Sequence, residues 1–150
     1  MKTLIINSLD EMKTLGLKIG KKLKGGETLC LSGDLGAGKT HLTKFIGQGM
    51  GIEDYITSPS FAILNIYYGK INLNHFDSYR LEGDIDFDDL GFDDYLFSND
   101  VNIVEWPEKM ENILPKDRLT IKIEKTSDTG RKLIFTTNNE DKYKHILEIL

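Results

Sequence analysis

Residues 33–40 constrain the fold more than any other part of this 150-residue chain. They read GDLGAGKT and match the pattern G-x-x-x-x-G-K-[ST] at every defined position. An apolar run at 28–31 precedes them, and Leu42, Phe45 and Ile46 follow at helical spacing. The glycines let successive backbone N–H groups converge on phosphate oxygens, and the N-terminus of the following helix adds a favourable dipole. The sequence therefore predicts a phosphate-binding loop, or P-loop, between a buried strand and a helix.

The loop residues have defined chemical roles when ATP is the ligand. The ammonium group of Lys39 neutralises the β- and γ-phosphates, and the hydroxyl group of Thr40 coordinates Mg²⁺. ATP and Mg²⁺ are therefore the predicted cofactors. The predicted nucleotide-binding residues of this segment are Gly33, Asp34, Leu35, Gly36, Ala37, Gly38, Lys39, Thr40 and His41.

The hydrophobic pattern of the remaining chain predicts an α/β fold. Further strands are predicted at 3–6, 63–67, 71–77, 101–104, 119–123 and 133–137, with 63–67 and 71–77 forming a hairpin. Further helices are predicted after a cap at Ser8 or Asp10, within the acidic stretch 82–100, at Pro107 and at 142–150. We therefore expect one P-loop NTPase domain, residues 1–150, with a mixed central sheet flanked by helices.

Two acidic residues each end an apolar predicted strand. Asp77 follows Phe76, and Glu105 follows Val104. Because a P-loop lies at the carboxyl ends of parallel strands, either carboxylate is placed to contact Mg²⁺ or to orient the attacking water. The residue pattern does not assign these two roles. His75 lies on one face of the same strand as Asp77, and we expect it to be a hydrogen-bonded structural histidine.

Charge and composition limit the partners of the chain. The formal net charge of -5 provides no basic surface for a phosphate backbone, so we expect no strong direct binding of nucleic acid. The single cysteine, Cys30, lies in an apolar run and is predicted to be a core thiol. The apolar stretch at 3–6 is too short for a signal peptide or a membrane span. A cytoplasmic protein without membrane association is the expectation.

Six motifs follow one another along the chain. They are GDLGAGKT at 33–40, TSPSF at 57–61, HFDSYRL at 75–81, GFDDY at 91–95, VEW at 104–106 and ILP at 113–115. In these motifs the chain resembles the TsaE (YjeE) family of bacterial ATPases, which act in tRNA threonylcarbamoyladenosine biosynthesis. The resemblance covers most of the chain, and this combination of motifs is far more specific than a P-loop alone.

The resemblance implies a function and partners. It implies ATP hydrolysis coupled to the formation of threonylcarbamoyl-adenosine in tRNAs that read codons beginning with A, together with the proteins TsaD and TsaB. It also implies that the chain does not itself transfer the threonylcarbamoyl group. The tRNA would then be reached indirectly, through the partner proteins.

The resemblance also implies roles for single residues. Lys39, Asp77 and Glu105 are the implied catalytic residues, with Mg²⁺ held by Thr40 and Glu105 and with Asp77 supporting the water or the metal shell. Trp106 is expected to pack beside the nucleotide, and Arg131, before the last strand, to approach it. The segment 57–61 would sense the γ-phosphate; the family usually has threonine where this chain has Ser60, and the hydroxyl group is kept.

Three other classes of protein compete with this interpretation. A GTPase would carry an N-K-x-D motif, which is missing from the sequence, and the D-x-x-G sequence at 88–91 lies in the acidic stretch. A small-molecule kinase would need several lid arginines, but the chain has only Arg80, Arg118 and Arg131. A nucleotide-gated scaffold would use ATP to order 57–61 and 82–100 for partner docking, without a need for hydrolysis.

Overall fold

The computed structural model describes residues 1–59, 63–80 and 90–150, and a seven-stranded sheet runs through them. Its strands are β1 (Lys2–Ile6), β2 (Thr28–Ser32), β3 (Leu64–Tyr67), β4 (Leu73–Asp77), β5 (Val101–Glu105), β6 (Leu119–Lys125) and β7 (Arg131–Thr137). The helices are α1 (Leu9–Lys22), α2 (Lys39–Gly49), α3 (Asp93–Leu96) and α4 (Glu140–Leu147), with a 3₁₀ helix at Pro107–Met110. The predicted P-loop NTPase fold, a mixed sheet flanked by helices, is confirmed.

The strand order is β1-β7-β6-β2-β5-β4-β3. The central strands β4, β5, β2 and β6 are mutually parallel, whereas β3, β7 and β1 pair antiparallel with their neighbours. This order places β2, which leads into the P-loop, between β5 and β6. The carboxyl ends of β4 and β5 therefore lie beside the loop, as a nucleotide site of this class requires.

Helices cover both faces of the central sheet, which explains the continuous apolar run of β2. On one face, α1 and α2 contribute buried residues such as Ile19 and Leu42 to a core that includes Leu29 and Leu31. On the other face, Cys30 packs in a second core with residues of α3 and the 3₁₀ helix. Burial raises the pKa of the Cys30 thiol to about 12, so this cysteine is the predicted core thiol.

Helices α1 and α2 approach each other closely enough to require glycine. A Cβ atom on Gly20 would lie 2.1 Å from the carbonyl oxygen of Ile46, and one on Gly49 would lie 2.4 Å from that of Leu17. No side chain fits at such distances, so the two backbones are in direct contact. This contact holds the helix that begins at the P-loop against its neighbour.

Side-chain caps set the ends of two helices. Ser8 is the cap of α1: its hydroxyl oxygen accepts the Glu11 N–H at 3.1 Å, and the Glu11 carboxylate accepts the Asn7 N–H at 2.7 Å. Helix α4 begins at Glu140 and ends at Leu147, earlier than the predicted 142–150. Its start is explained by Asn139, whose side-chain oxygen accepts the Lys142 N–H at 3.1 Å.

Other predicted elements are confirmed with adjusted bounds. The hairpin is formed by β3 and β4, which are shorter than the predicted strands, and β6 and β7 pair across the predicted turn at 128–130. Ser60 and Phe61 of the predicted sensing segment lie outside the described residues, as do 82–89 of the acidic stretch and therefore Asp88. Within the described part of the chain, no helix is long and apolar enough to cross a membrane.

Tyr143 of α4 forms a buried link to the start of β2. Its hydroxyl oxygen accepts the Thr28 N–H at 3.0 Å and donates to the carbonyl oxygen of Asp117 at the same distance. Burial raises the pKa of Tyr143 well above its usual range, so the hydroxyl stays protonated. Tyr143→Phe would leave the buried Thr28 N–H without this partner.

We expect Tyr143→Phe to lower the free energy of unfolding by about 1–3 kcal/mol. Urea unfolding followed by circular dichroism measures the change. Tyr68→Phe is the matched control, because Tyr68 is 71% exposed, and it should change the value by less than about 0.5 kcal/mol. Equal stabilities for the two variants would contradict the structural role of this hydroxyl.

Candidate functional site

The P-loop connects the end of β2 to the start of α2 in a conformation that needs glycine. Gly36 and Gly38 have φ values of 81° and 112°, in the left-handed region. A Cβ atom on Gly33 would lie 2.5 Å from the carbonyl oxygen of Ile123 in β6. The start of the loop is therefore packed directly against a neighbouring strand, whereas, beyond its chain neighbours, no atom of the described residues lies within 4 Å of the Cβ position of Gly36 at its centre.

Lys39 is held at the centre of the loop. Its ammonium group donates to the carbonyl oxygens of Gly33 and, at 3.3 Å, of Asp34. The same nitrogen lies 3.7 Å above the centre of the Trp106 ring, a cation–π contact. Burial lowers the pKa of Lys39, whereas the carboxylate charges of Glu105 and Asp77 oppose this shift and favour the charged form.

Thr40 and Glu105 meet at the first turn of α2. The Thr40 hydroxyl donates to the two carboxylate oxygens of Glu105, at 2.9 Å to Oε1 and 3.2 Å to Oε2. Glu105 is only 2% exposed, so its charge has little access to solvent. A hydroxyl and a carboxylate are oxygen donors of the type that Mg²⁺ prefers, and this pair fits the predicted metal.

Asp77 lies opposite Glu105 in the β4–β5 register. Its Oδ2 accepts the Ser58 hydroxyl at 2.9 Å, and its Oδ1 accepts the Tyr79 N–H at 2.9 Å. The carboxylate therefore ties the segment before β3 to the end of β4. Sequence reasoning predicted the two carboxylates but missed the contact with Ser58, because residues 19 positions apart give no local signal of pairing.

Trp106 follows Glu105 in an unusual backbone conformation. Its φ of 59° is the only positive value among the described residues that are not glycine. The Ser78 hydroxyl donates to its carbonyl oxygen at 2.6 Å, and the Tyr79 ring packs on its indole with centroids 4.9 Å apart. Such left-handed conformations are uncommon outside glycine and tend to occur at functional sites.

These elements surround a cavity of about 800 Å³, within the range of small-molecule and cofactor sites. The wall brings together most of the predicted site residues. It adds five from the neighbouring segments, which are Ser58, Pro59, Ile63, Tyr79 and Arg80. The predicted residues in the wall are Leu35, Gly36, Gly38, Lys39, Thr40, His41, Asp77, Glu105 and Trp106.

Arg131 contacts the P-loop but is not among the described residues that line the cavity. Its Nε–H donates to the carbonyl oxygen of Ala37 at 2.8 Å, and Nη1 donates to those of Gly130 at 2.8 Å and Ser127 at 3.1 Å. The β6–β7 hairpin and the P-loop are joined through this side chain. A direct approach of Arg131 to the nucleotide stays a prediction.

We expect Arg131→Ala to raise the Kd for an ATP analogue about tenfold. A hydrogen bond to a charged group contributes about 1.5–3 kcal/mol, and 1.4 kcal/mol corresponds to a factor of 10 in affinity. Isothermal titration calorimetry measures the Kd. Arg118→Ala is the control, because Arg118 pairs with Glu111 away from the loop. An unchanged Kd in Arg131→Ala would show that the loop keeps its conformation without this contact.

Comparison with known proteins points to one family. The family model described as threonylcarbamoyl adenosine biosynthesis protein TsaE matches residues 6–133. The tRNA threonylcarbamoyladenosine biosynthesis protein TsaE of Bacillus subtilis is 40% identical over 128 residues, which cover 85% of this chain and 80% of that protein. The protein of the same name from Treponema pallidum is 34% identical over 129 residues, 86% of this chain and 96% of that protein.

A solved structure agrees with these sequence matches. The crystal structure of YdiB from Bacillus subtilis superposes on this chain with a TM-score of 0.80 and 33% sequence identity. The superposition covers 99% of this chain and 92% of the YdiB chain. The likeness therefore extends over the whole sheet and is not restricted to the P-loop.

Proposed function

The chain belongs to the TsaE family, and on that premise we propose that it is a Mg²⁺-dependent ATPase needed for threonylcarbamoyl-adenosine modification of tRNA. The observation that carries the proposal is the contact of the Thr40 hydroxyl, at the end of the P-loop, with the buried Glu105 carboxylate. A nucleotide-hydrolysing site needs this pair to hold a metal beside the β- and γ-phosphates.

The residues of the chain divide the work of hydrolysis between them. Lys39 binds the β- and γ-phosphates after its ammonium group leaves the carbonyl oxygens of Gly33 and Asp34. Thr40 and Glu105 hold Mg²⁺, which when bound neutralises charge that develops on the transferred phosphoryl group. Asp77, beside Glu105 on the adjacent strand and in the wall of the same cavity, orients the attacking water.

Trp106 contributes shape to the site. Its indole covers the Lys39 ammonium at 3.7 Å, and its half-buried ring forms part of the cavity wall. A ring in this position excludes water from the phosphate end of the cavity, which strengthens the electrostatic contacts made there. The roles of Lys39 and Trp106 are therefore complementary.

The proposed partners are TsaD and TsaB, and the tRNA is reached through them. The relatives from Bacillus subtilis and Treponema pallidum are named for tRNA threonylcarbamoyladenosine biosynthesis, which supports a place in that machinery. The net charge of -5 favours docking on proteins over direct binding of tRNA. We propose that the chain works on tRNAs reading codons that begin with A, does not transfer the threonylcarbamoyl group itself, and acts in the cytoplasm.

A nucleotide-gated scaffold is the second candidate. The Ser58 hydroxyl reaches Asp77 at 2.9 Å, so the segment that contains Ser58 is coupled to the nucleotide site. Binding of ATP alone could then rearrange a docking surface, and hydrolysis would not be needed. The two candidates differ in what a non-hydrolysable analogue can support.

The experiment reconstitutes tRNA modification with purified TsaD, TsaB and this chain. Formation of modified tRNA is followed over many turnovers, with ATP or with a non-hydrolysable ATP analogue given to this chain after the threonylcarbamoyl donor has been prepared separately. We expect sustained modification with ATP and at most one round with the analogue. Equal sustained modification with the analogue would replace the ATPase by the scaffold, and no dependence on the chain would contradict both.

A further inference from the structure

His75 is a fully buried histidine in contact with the proposed metal ligand. It lies on β4 at 0% exposure, two residues before Asp77 and on the same face of the sheet. Its Nε2 is 2.5 Å from Oε2 of Glu105, on the adjacent strand β5. The imidazole therefore reaches diagonally across the two parallel strands to the carboxylate.

Stability alone does not account for a histidine at this position. Its other ring nitrogen, Nδ1, is buried and has no hydrogen-bond partner within the part of the chain that the structure describes. A buried polar atom without a partner costs about 1–3 kcal/mol, and an apolar side chain of similar volume would avoid that cost. Among the described residues, Glu105 is the one polar partner of this ring, so the role of the histidine must lie in this contact.

We propose that His75 is a positioning residue, which fixes the Glu105 carboxylate in the orientation that binds Mg²⁺. The inference rests on the proposed function, because it concerns the same metal site. His75 itself touches neither the metal nor the nucleotide. It acts through the hydrogen bond that its Nε2–H donates to Oε2 of Glu105.

Hydrogen bonds from two residues, His75 and Thr40, hold the carboxylate. His75 donates to Oε2, while the Thr40 hydroxyl lies closest to Oε1 at 2.9 Å. Together they fix the plane of the carboxylate and direct Oε1 toward the first turn of α2. The negative charge of Glu105 favours the protonated form of Lys39, so the two side chains attract each other. Without His75 the side chain of Glu105 is free to rotate toward Lys39. Binding of Mg²⁺ would then be weaker, because it would have to order the Glu105 side chain at a cost in conformational entropy.

The test compares two amide substitutions that place a nitrogen at different points. The side-chain nitrogen of His75→Gln falls near the position of Nε2, so it can still donate to Glu105. That of His75→Asn is one methylene shorter, falls near Nδ1 and leaves Glu105 without this donor. Circular dichroism melting checks that each variant is folded, and His75→Leu replaces His75→Asn if the latter does not fold.

The readout is the Mg²⁺ concentration that gives half-maximal binding of a non-hydrolysable ATP analogue, measured by calorimetry. Binding of the analogue in EDTA is measured beside it. We expect His75→Asn to raise the required Mg²⁺ concentration roughly 10–100-fold and His75→Gln to raise it less than about 5-fold, as for other residues that orient a metal ligand. Affinity in EDTA should stay within about 2-fold of wild type for each variant.

Three outcomes would contradict the inference or its premise. An unchanged Mg²⁺ requirement in folded His75→Asn would show that Glu105 needs no positioning by His75. Equal shifts in His75→Asn and His75→Gln would show that ring shape matters and the hydrogen bond does not. If the wild-type chain bound the analogue equally well with and without Mg²⁺, the proposed function would be contradicted, and the inference with it.

Discussion

Lys39→Ala is expected to lower ATP turnover by about 10²–10³-fold, the effect of removing one preorganised charge donor from a reacting group. The ammonium of Lys39 is the cation inside the P-loop, positioned by the carbonyl oxygens of Gly33 and Asp34 and covered by the ring of Trp106. Burial makes its interaction with phosphate stronger than that of a solvated lysine. Turnover is measured as phosphate release in the presence of the partner proteins, because partners often complete such sites.

Lys44→Ala is the matched control for this variant. Lys44 lies on the same helix, but its ammonium group is 4.2 Å above the ring of Tyr55, away from the loop. We expect less than about a 2-fold change in turnover, as for other surface substitutions remote from a site. If Lys39→Ala retained wild-type turnover, phosphate neutralisation would have to come from another group, and the role proposed for Lys39 would be contradicted.

Glu105→Gln is expected to reduce turnover by a similar factor, about 10²–10³-fold, for a different reason. The glutamine keeps the shape of the side chain and can still accept the Thr40 hydroxyl, but it loses the negative charge that a metal ion requires. Binding of ATP in EDTA should be no weaker than in wild type, because a negative charge near the phosphates has been removed. Turnover and ATP binding in EDTA, measured together, distinguish weaker metal binding from weaker nucleotide binding.

Glu108→Gln serves as the control for Glu105→Gln. Glu108 lies three residues further on, in the 3₁₀ helix, and is exposed. Its charge also favours the protonated form of Lys39, but solvent screens an exposed carboxylate, so its neutralisation should change turnover by less than about 2-fold. A Glu105→Gln variant that hydrolyses ATP normally would show that another carboxylate, with Asp77 the nearest candidate in the described site, holds the metal. A variant that binds ATP, does not hydrolyse it and still sustains tRNA modification would favour the scaffold.

Local signals in the sequence were sufficient for much of the fold and part of the site. The P-loop, the carboxylates Asp77 and Glu105 and the hairpin of β3 and β4 were predictable, because each depends on residues close together in the chain. A residue at the carboxyl end of a parallel strand lies on the P-loop side of the sheet, whatever the detailed register. The ends of α4 were less well predicted, because the cap at Asn139 competes with the apolar periodicity that follows it.

The contacts that complete the site depend on tertiary structure. The bond from Arg131 to Ala37 joins residues 94 positions apart, and that from His75 to Glu105 joins residues 30 apart. Both require the strand order and register, neither of which is encoded in a short segment. The left-handed conformation of Trp106 carries no sequence signal either, since tryptophan rarely adopts it.

The strand order has a consequence for synthesis of the protein on the ribosome. Strand β2, which leads into the P-loop, lies between β5 and β6, while β1 pairs with β7 alone among the described strands. When residues 33–40 emerge, the strands that will flank them have not been made. Long-range pairing of this kind slows folding and leaves strand edges exposed meanwhile. A nascent chain therefore acquires its nucleotide site only after β6 and β7 have emerged, so a truncated product would not sequester ATP.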